Sequence, residues 1–224
     1  MPGARASRLA ATAVAAVLAA GAAVAPRAAR ADDVAVPVRD ARITFDSTLL
    51  YITTAFPDLF DPALAAKLDD GFTTTIALRV VVYEVGREEP ISLEVRTVKL
   101  RYDLWEELYE VKISDYAGVT SLHVATRAEA IAAATTLRRF RATPLALVDA
   151  KKTYFMAVRA EVNPTSKELM AEYTRWITRP AGARPPGASK SFFGSFVSLF
   201  VNPELHEAAK VFVFRTVSFW VPLP

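Results

Sequence analysis

Alternation of apolar and polar positions dominates the middle of the chain and predicts antiparallel β-strands. In residues 91–102, Ile91 and Leu93 begin a mostly apolar row on one side of an extended chain, with polar side chains on the other. Residues 72–85 are a long run of β-branched and apolar residues, and the alternation resumes over residues 109–113 after an acidic connection. Short turn-forming segments separate these runs, so two or three antiparallel strands are the simplest arrangement.

Further strands are predicted on both sides of this region. Residues 41–56 are rich in β-branched and aromatic residues, which favours one or two strands. Residues 145–148 and 154–162 predict a strand pair around a turn that begins at Asp149. Residues 209–221 are mostly apolar in both alternating phases, which is typical of a strand covered on both sides.

A short helix is predicted between residues 61 and 71. Asp61 has a good N-cap side chain, and Pro62 fits the first helical position because an N–H there would have no helical partner. Gly71 stands just past the expected end, where a left-handed residue commonly terminates a helix. These three residues therefore predict both ends of the helix.

Two more helices begin with capping-box sequences. Thr126 and Glu129 have the spacing in which each side chain satisfies a free backbone N–H, and we expect this helix to reach about Arg139. Residues 165–168 repeat the pattern and open a third helix that reaches about Ile177. The chain is thus predicted to be mainly β, sandwich-like, or a β-rich α+β domain, with about seven to nine antiparallel strands and two to four short helices.

The N-terminus has the three parts of a secretory signal peptide, which we assign to residues 1–31. Arg5 and Arg8 supply the positive start, residues 9–25 carry no charge, and small residues precede a cleavage site after Ala31. The apolar run is short and alanine-rich for a membrane anchor. We therefore expect a periplasmic or secreted protein of a Gram-negative-type envelope; it is not a lipoprotein, because the chain has no cysteine.

Removal of this segment changes the charge of the protein. The whole chain has 27 Lys and Arg against 24 Asp and Glu, for a net charge of +3. Four arginines leave with the signal, so 23 basic residues remain against the 24 acidic ones. A nearly neutral mature chain has no basic face of the kind that nucleic acid requires, so nucleic acid is excluded as a partner. Without cysteine, stability must come from apolar burial rather than disulfides.

The C-terminal third carries the strongest candidate for a contact surface. Residues 32–178 are predicted to form the β-rich core domain, residues 179–190 a Pro/Gly-rich loop, and residues 191–224 an apolar helix and the strand that completes the domain. Small and polar side chains recur with helical spacing in this helix. Its other side carries the candidate contact residues Phe192, Phe193, Phe196, Leu199 and Phe200. This side either folds back as a core or lid helix or faces a membrane surface or the groove of a protein partner.

A second candidate surface lies in residues 99–111, around the acidic connection of the central strands. Tyr102, Trp105 and Tyr109 are amphipathic aromatic residues among charges, a combination that is favoured at protein interfaces. The alternative is that they pack between strands with their polar atoms at the rim.

Motifs for catalysis or cofactors are absent from the sequence. His123 and His206 have no neighbouring ligands at metal-binding spacing, and Ser195 lacks the small flanking residues of a hydrolase nucleophile. No glycine pattern fits a nucleotide phosphate, so we expect no cofactor, metal or nucleotide. The leading hypothesis is a non-enzymatic envelope protein that binds a protein partner or a lipid surface. The alternatives are an enzyme with scattered polar residues near His123 or His206, and a purely structural module; the oligomeric state stays open.

The chain also resembles a bacterial family of exported proteins that is classed as a domain of unknown function. The resemblance rests on the helix end LAAKLDDG at residues 64–71 with the FTTTIAL run after it, on LRYD at residues 100–103, and on YEVK at residues 109–112. It covers residues 41–177 and departs at the Pro/Gly-rich loop and the Phe-rich segment. It implies an exported location and a β-rich architecture, and it assigns no catalytic residue.

Overall fold

The structure is a computed structural model that describes residues 36–165, 167–178 and 208–222. Within these ranges the chain forms strands and three α-helices. The strands are β1 Val38–Arg39, β2 Arg42–Phe45, β3 Leu49–Ala55, β4 Thr74–Glu84, β5 Pro90–Asp103, β6 Leu108–Asp115, β7 Gly118–Val124, β8 Thr136–Pro144, β9 Thr153–Val162, β10 Lys210–Thr216 and β11 Phe219–Trp220. The helices are α1 Pro62–Lys67, α2 Arg127–Thr135 and α3 Lys167–Ile177. Single 3-10 turns occupy Pro57–Leu59, Leu68–Asp70 and Leu145–Leu147.

The strands form one large and one small sheet. The large sheet has the order β1-β10-β9-β4-β5-β6-β7, with β11 beside β9, and the small sheet has the order β2-β3-β8. All pairs are antiparallel except β1 with β10. The predicted class, a mainly β, sandwich-like or β-rich α+β domain, is confirmed.

The two faces of the large sheet contact different partners. Along β4, Ile76 and Leu78 belong to the main core, whereas the alternate residues Ala77 and Val81 belong to a second cluster that includes Tyr173 of α3. This follows from the two-residue period of a strand. The inner face therefore packs on the small sheet, and the outer face on α3.

The helix boundaries at α1 and α2 follow the predicted caps. Asp61 Oδ1 accepts a hydrogen bond from the backbone N–H of Leu64 at 2.8 Å, and Gly71 has a left-handed φ of 77°. In α2, the Glu129 N–H donates to Thr126 Oγ1 at 3.2 Å, and the Thr126 N–H donates to a Glu129 carboxylate oxygen at 3.1 Å. The predicted third helix is present as α3, although part of its capping box lies outside the described residues.

The prediction that the second helix reaches Arg139 is wrong. Helix α2 ends at Thr135, and the following residues form β8, which pairs with β3. The β-branched Thr135 and Thr136 favour extended backbone, and pairing with β3 buries Leu137 and Phe140 in the main core. Long-range pairing thus overrides the helical preference of the sequence.

Two further expectations need correction. The predicted strand at residues 145–148 is a 3-10 turn, and the strand that precedes β9 is β8 instead. The single strand predicted over residues 209–221 is divided into β10 and β11, and Val211 and Trp220 are exposed rather than covered. More strands form than the seven to nine predicted, in part because β1 and β11 have only two residues each.

Candidate binding site at the Trp105 hairpin

The turn between β5 and β6 is held by the side chain of Asp103. Its Oδ1 accepts hydrogen bonds from the backbone N–H groups of Trp105 at 2.9 Å and Glu106 at 3.2 Å. These backbone donors keep the pKa of Asp103 below its ordinary value, so the carboxylate stays charged. Glu107 completes the turn with a left-handed φ of 54°. An aspartate that accepts bonds from the N–H groups of the second and third residues after it is a typical turn former.

Leu104 and Trp105 project from this turn beside the end of the preceding 3-10 segment. A Cβ atom placed on Gly71 would lie 3.3 Å from Leu104 Cδ1, so the leucine side chain lies against the glycine backbone. Phe72 follows directly. The exposed fractions are 75% for Phe72, 64% for Leu104 and 95% for Trp105. We call these three residues the hairpin tip; large apolar side chains that are exposed on neighbouring segments are typical of interaction sites.

A partly buried polar contact lies beside the hairpin tip. Tyr109 Oη donates a hydrogen bond to Asp69 Oδ1 at 2.5 Å, and Arg127 Nη1 contacts the other oxygen of Asp69 at 2.6 Å. The Tyr102 ring packs on Tyr109 with a centroid distance of 4.7 Å. Burial and the bond to Asp69 raise the pKa of Tyr109 to about 12, so its hydroxyl keeps its proton and remains a donor. The contact ties β6, α2 and the segment before Gly71 together.

The surroundings of the hairpin tip are acidic. Asp70, Glu106 and Glu107 are exposed, and none of them forms an ion pair with any described residue. The nearby Arg101 is already shared between Asp103 at 3.6 Å and Glu110 at 3.3 Å. The hairpin tip is therefore an apolar patch with an excess of negative charge around it.

The structure separates the three aromatic residues that the sequence grouped. Trp105 is exposed, whereas Tyr109 is buried and Tyr102 is half-buried against it. The other candidate contacts, Phe192, Phe193, Phe196, Leu199 and Phe200, lie outside the described residues, and so does His206. His123 lies exposed on β7 opposite Glu110 of β6, not in an apolar cleft.

Sequence reasoning missed two members of the hairpin tip. The sequence pattern places Phe72 at the start of the β-prone run of residues 72–85 and Leu104 in the acidic connection after residue 102. The sequence signal for Phe72 is Gly71, because a glycine that ends a helical segment in the left-handed conformation reverses the chain. Phe72 then lies between the end of the 3-10 segment and the start of β4 and belongs to neither. The contact between Gly71 and Leu104 depends on folding and has no local signal.

A second feature that the sequence did not indicate is an ionic cluster on the outer face of the large sheet. Arg79 of β4 and Arg159 of β9 are paired across the strands, and both contact Glu161. Arg159 Nε donates to Glu161 Oε1 at 2.6 Å, and Arg79 Nη2 donates to the same oxygen. All three side chains are almost completely buried, and the Tyr173 ring lies 5.8 Å from the Arg79 guanidinium carbon. The cluster joins side chains of β4 and β9 and lies beside Tyr173 of α3.

Other types of site find no support in the described ranges. No group of three or more His, Asp or Glu side chains that could hold a metal ion occurs in the part of the chain that the structure describes. None of the helices described is long and apolar enough to cross a membrane.

Comparison with known proteins agrees with the resemblance inferred from the sequence. No curated protein and no solved structure matches the chain significantly. Residues 35–169, more than half of the 224 residues, match the family described as a domain of unknown function, DUF4390. The match includes β2 to β9, the hairpin tip and the Asp69–Tyr109 contact. The chain therefore belongs to the DUF4390 family of domains of unknown function.

Proposed function

We propose that this protein is exported to the cell envelope and acts there as a non-enzymatic binding protein that docks a partner protein through the hairpin tip. The observation that carries the proposal is the exposure of Leu104 and Trp105 on a turn held by Asp103, together with exposed Phe72, which follows the Gly71 backbone that Leu104 contacts. An exposed tryptophan on a supported hairpin is a typical interface anchor, because tryptophan is enriched among residues that dominate binding energy.

The acidic surroundings favour a protein partner over a lipid surface. Asp70, Glu106 and Glu107 would approach the negatively charged headgroups of a bacterial membrane and oppose insertion of Trp105. The same carboxylates would attract a partner whose apolar pocket is bordered by Lys or Arg. Such a partner would desolvate the tryptophan side chain, and we expect Trp105→Ala to weaken binding by about 2 kcal/mol, or about 30-fold.

Export is supported by the N-terminal sequence. A positive start, an uncharged run and small residues before Asp32 are the three parts of a cleavable secretory signal peptide. The test is the intact mass and N-terminal sequence of the protein recovered from producing cells. Cleavage near Ala31 and recovery from the periplasmic fraction or the medium would support export, and an intact N-terminus in the cytoplasmic fraction would contradict it.

Docking is tested by photocross-linking in producing cells. A photoreactive amino acid is placed at Trp105, and in the control protein it is placed at Trp220, a second tryptophan that is 65% exposed but lies on β11. We expect a discrete protein adduct from position 105 and none of the same mass from position 220. Equal adducts from both positions, or none from either, would contradict the proposal.

Lipid binding is distinguished by co-flotation of the protein with vesicles of zwitterionic and of anionic lipid. We expect no flotation with either composition. If the protein floats, and Trp105→Ser abolishes flotation, the hairpin tip binds a membrane and the proposed protein partner is wrong.

A further inference from the structure

Strand β7 lies at an edge of the large sheet in the part of the chain that the structure describes. Gly118–Val124 pairs with β6 in an unbroken antiparallel register, and on its other side no described strand follows. Six of its seven residues are exposed. The strand contains no Lys, Arg, Asp, Glu or Pro. Free edges usually carry a charge, a proline or a bulge, because an edge without them pairs with other chains.

The other edges of the two sheets have the protection that β7 lacks. At the opposite edge of the large sheet, β1 has only two residues. In the small sheet, β2 has four residues and begins with Arg42. Strand β8 is engaged by β5, because its Ala142 carbonyl accepts a hydrogen bond from Ser92 Oγ at 2.8 Å and its Thr136 carbonyl accepts one from Arg96 Nη1 at 3.3 Å. Among the described strands, β7 is thus the long edge that is open for pairing.

The side chains of β7 show that the core continues to this edge. Thr120, Leu122 and Val124 are opposite Ile113, Val111 and Tyr109, which face the main core. Leu122 points to the same side and is still 38% exposed. A further strand beside β7 would cover it, as each inner strand of the sheet covers its neighbour.

We propose that β7 pairs antiparallel with β7 of a second copy of this chain, which joins two large sheets into one. In an antiparallel pair, the numbers of directly opposite residues add up to a constant. An even total is required here, because only then are the core-facing residues of one copy opposite core-facing residues of the other. The register that pairs all seven residues places Ser121 opposite Ser121 of the second copy, and Leu122 opposite Thr120. This pair is two-fold symmetric, as most homodimers are.

The charges near the edge are compatible with this pair. β7 itself is uncharged, so no like charges face each other across the new contact. Lys112 is beside Ser121 on β6. The two copies of Lys112 would be three strand spacings apart, about 14 Å, which is beyond the screening length of about 8 Å at physiological ionic strength. Because β7 carries no Lys, Arg, Asp or Glu, it has no charge that would attract a charged peptide. An uncharged strand can pair with its own copy without repulsion, which favours the second copy as the occupant.

Disulfide trapping tests the register, since the chain has no cysteine of its own. The protein expressed from the full 224-residue sequence is prepared as single-cysteine variants Ser121→Cys, Thr120→Cys and Ser47→Cys. Residues directly opposite have Cβ atoms about 4.5–5.5 Å apart, whereas the two copies of Thr120 would be diagonal neighbours about 7–8 Å apart. A disulfide needs Cα atoms closer than about 7 Å. After mild oxidation we expect linked dimers from Ser121→Cys and few or none from the other two. Equal linking of all three, or none from Ser121→Cys, would overturn the proposal.

Light scattering supplies a second measurement that needs no oxidation. At about 100 µM protein, far above the Kd of even a weak micromolar interface, we expect the wild type to have the mass of two chains. We expect Ser121→Lys to have the mass of one chain. Ser121 is exposed, so the lysine does not disturb the core, which circular dichroism verifies. A single-chain mass for the wild type, or a dimer that persists in Ser121→Lys, would contradict the pairing. Trp105→Ser should leave the dimer intact, so this proposal and docking at the hairpin tip fail independently.

Discussion

The buried cluster of Arg79, Arg159 and Glu161 allows a specific prediction for the variant Glu161→Gln. The substitution keeps the shape of the side chain but removes the negative charge that both guanidinium groups contact. Arg159 then has no carboxylate partner among the described residues. Removal of one partner from a buried ion pair costs about 3–5 kcal/mol, because the remaining charge stays in a medium of low polarity.

This loss is large relative to the total stability of a domain. Unfolding of a globular domain requires about 5–15 kcal/mol, so Glu161→Gln would remove a third or more of the stability of an average one. For a domain of this size, each kcal/mol lowers Tm by about 2–4 °C, which gives a decrease of about 6–20 °C.

The assay is urea unfolding followed by far-UV circular dichroism, with Glu110→Gln as the matched control. Glu110 contacts Arg101 at 3.3 Å, and both side chains are substantially exposed, so the control should lose at most about 1 kcal/mol. A free energy of unfolding for Glu161→Gln that equals that of Glu110→Gln would refute the reasoning, because the cluster would then contribute no more than a surface pair.

Three further predictions concern local contacts. Asp46 accepts a hydrogen bond from Tyr51 Oη at 2.6 Å, and this bond lowers the pKa of Asp46. The stability that the Asp46 carboxylate contributes is therefore present above its ordinary pKa of 3.8 and is lost on acidification below that value. In urea titrations, Asp46→Asn should lose less stability than the wild type between pH 5 and pH 2, and parallel losses would contradict this. Gly71→Ala should destabilise the protein by about 1–2 kcal/mol, because its left-handed φ and its contact with Leu104 both oppose a Cβ atom; an unchanged urea midpoint would be inconsistent with that strain. Thr126→Ala should cost about 1 kcal/mol in thermal unfolding through loss of the α2 cap, and a Tm equal to that of the wild type would show that the cap is dispensable.

Local signals in the sequence predicted the elements that depend on neighbouring residues. The N-cap at Asp61, the left-handed end at Gly71 and the capping box at Thr126 are contacts within four residues, or conformations of a single residue. Alternation also predicted β5 and β6, because a half-buried strand repeats every two residues wherever it lies in the sheet. The run of β-branched and apolar residues predicted β4. The β-rich class followed from these elements.

The remaining features depend on residues that are distant along the chain. The end of α2 is set by the pairing of β8 with β3, and no capping residue marks it. Arg79 and Glu161 are 82 positions apart and meet only because β4 and β9 are neighbours in the sheet. In a strand read alone, Arg79 and Arg159 are expected to be exposed, since unpaired charges are not buried. The hairpin tip likewise requires the contact between Gly71 and Leu104, which no periodicity encodes.

The central claim is that the hairpin tip, with its acidic surroundings, docks a partner protein whose apolar pocket is bordered by Lys or Arg. Charge reversal combined with cross-linking at position 105 tests it most directly. Glu106 and Glu107 are both changed to lysine, and the control protein carries the same change at Glu88 and Glu89, an acidic pair in the turn between β4 and β5. We predict that the adduct from position 105 is lost in the first protein and retained in the second, because only the first reverses the charge around Trp105. Retention of the adduct in both proteins would contradict the account.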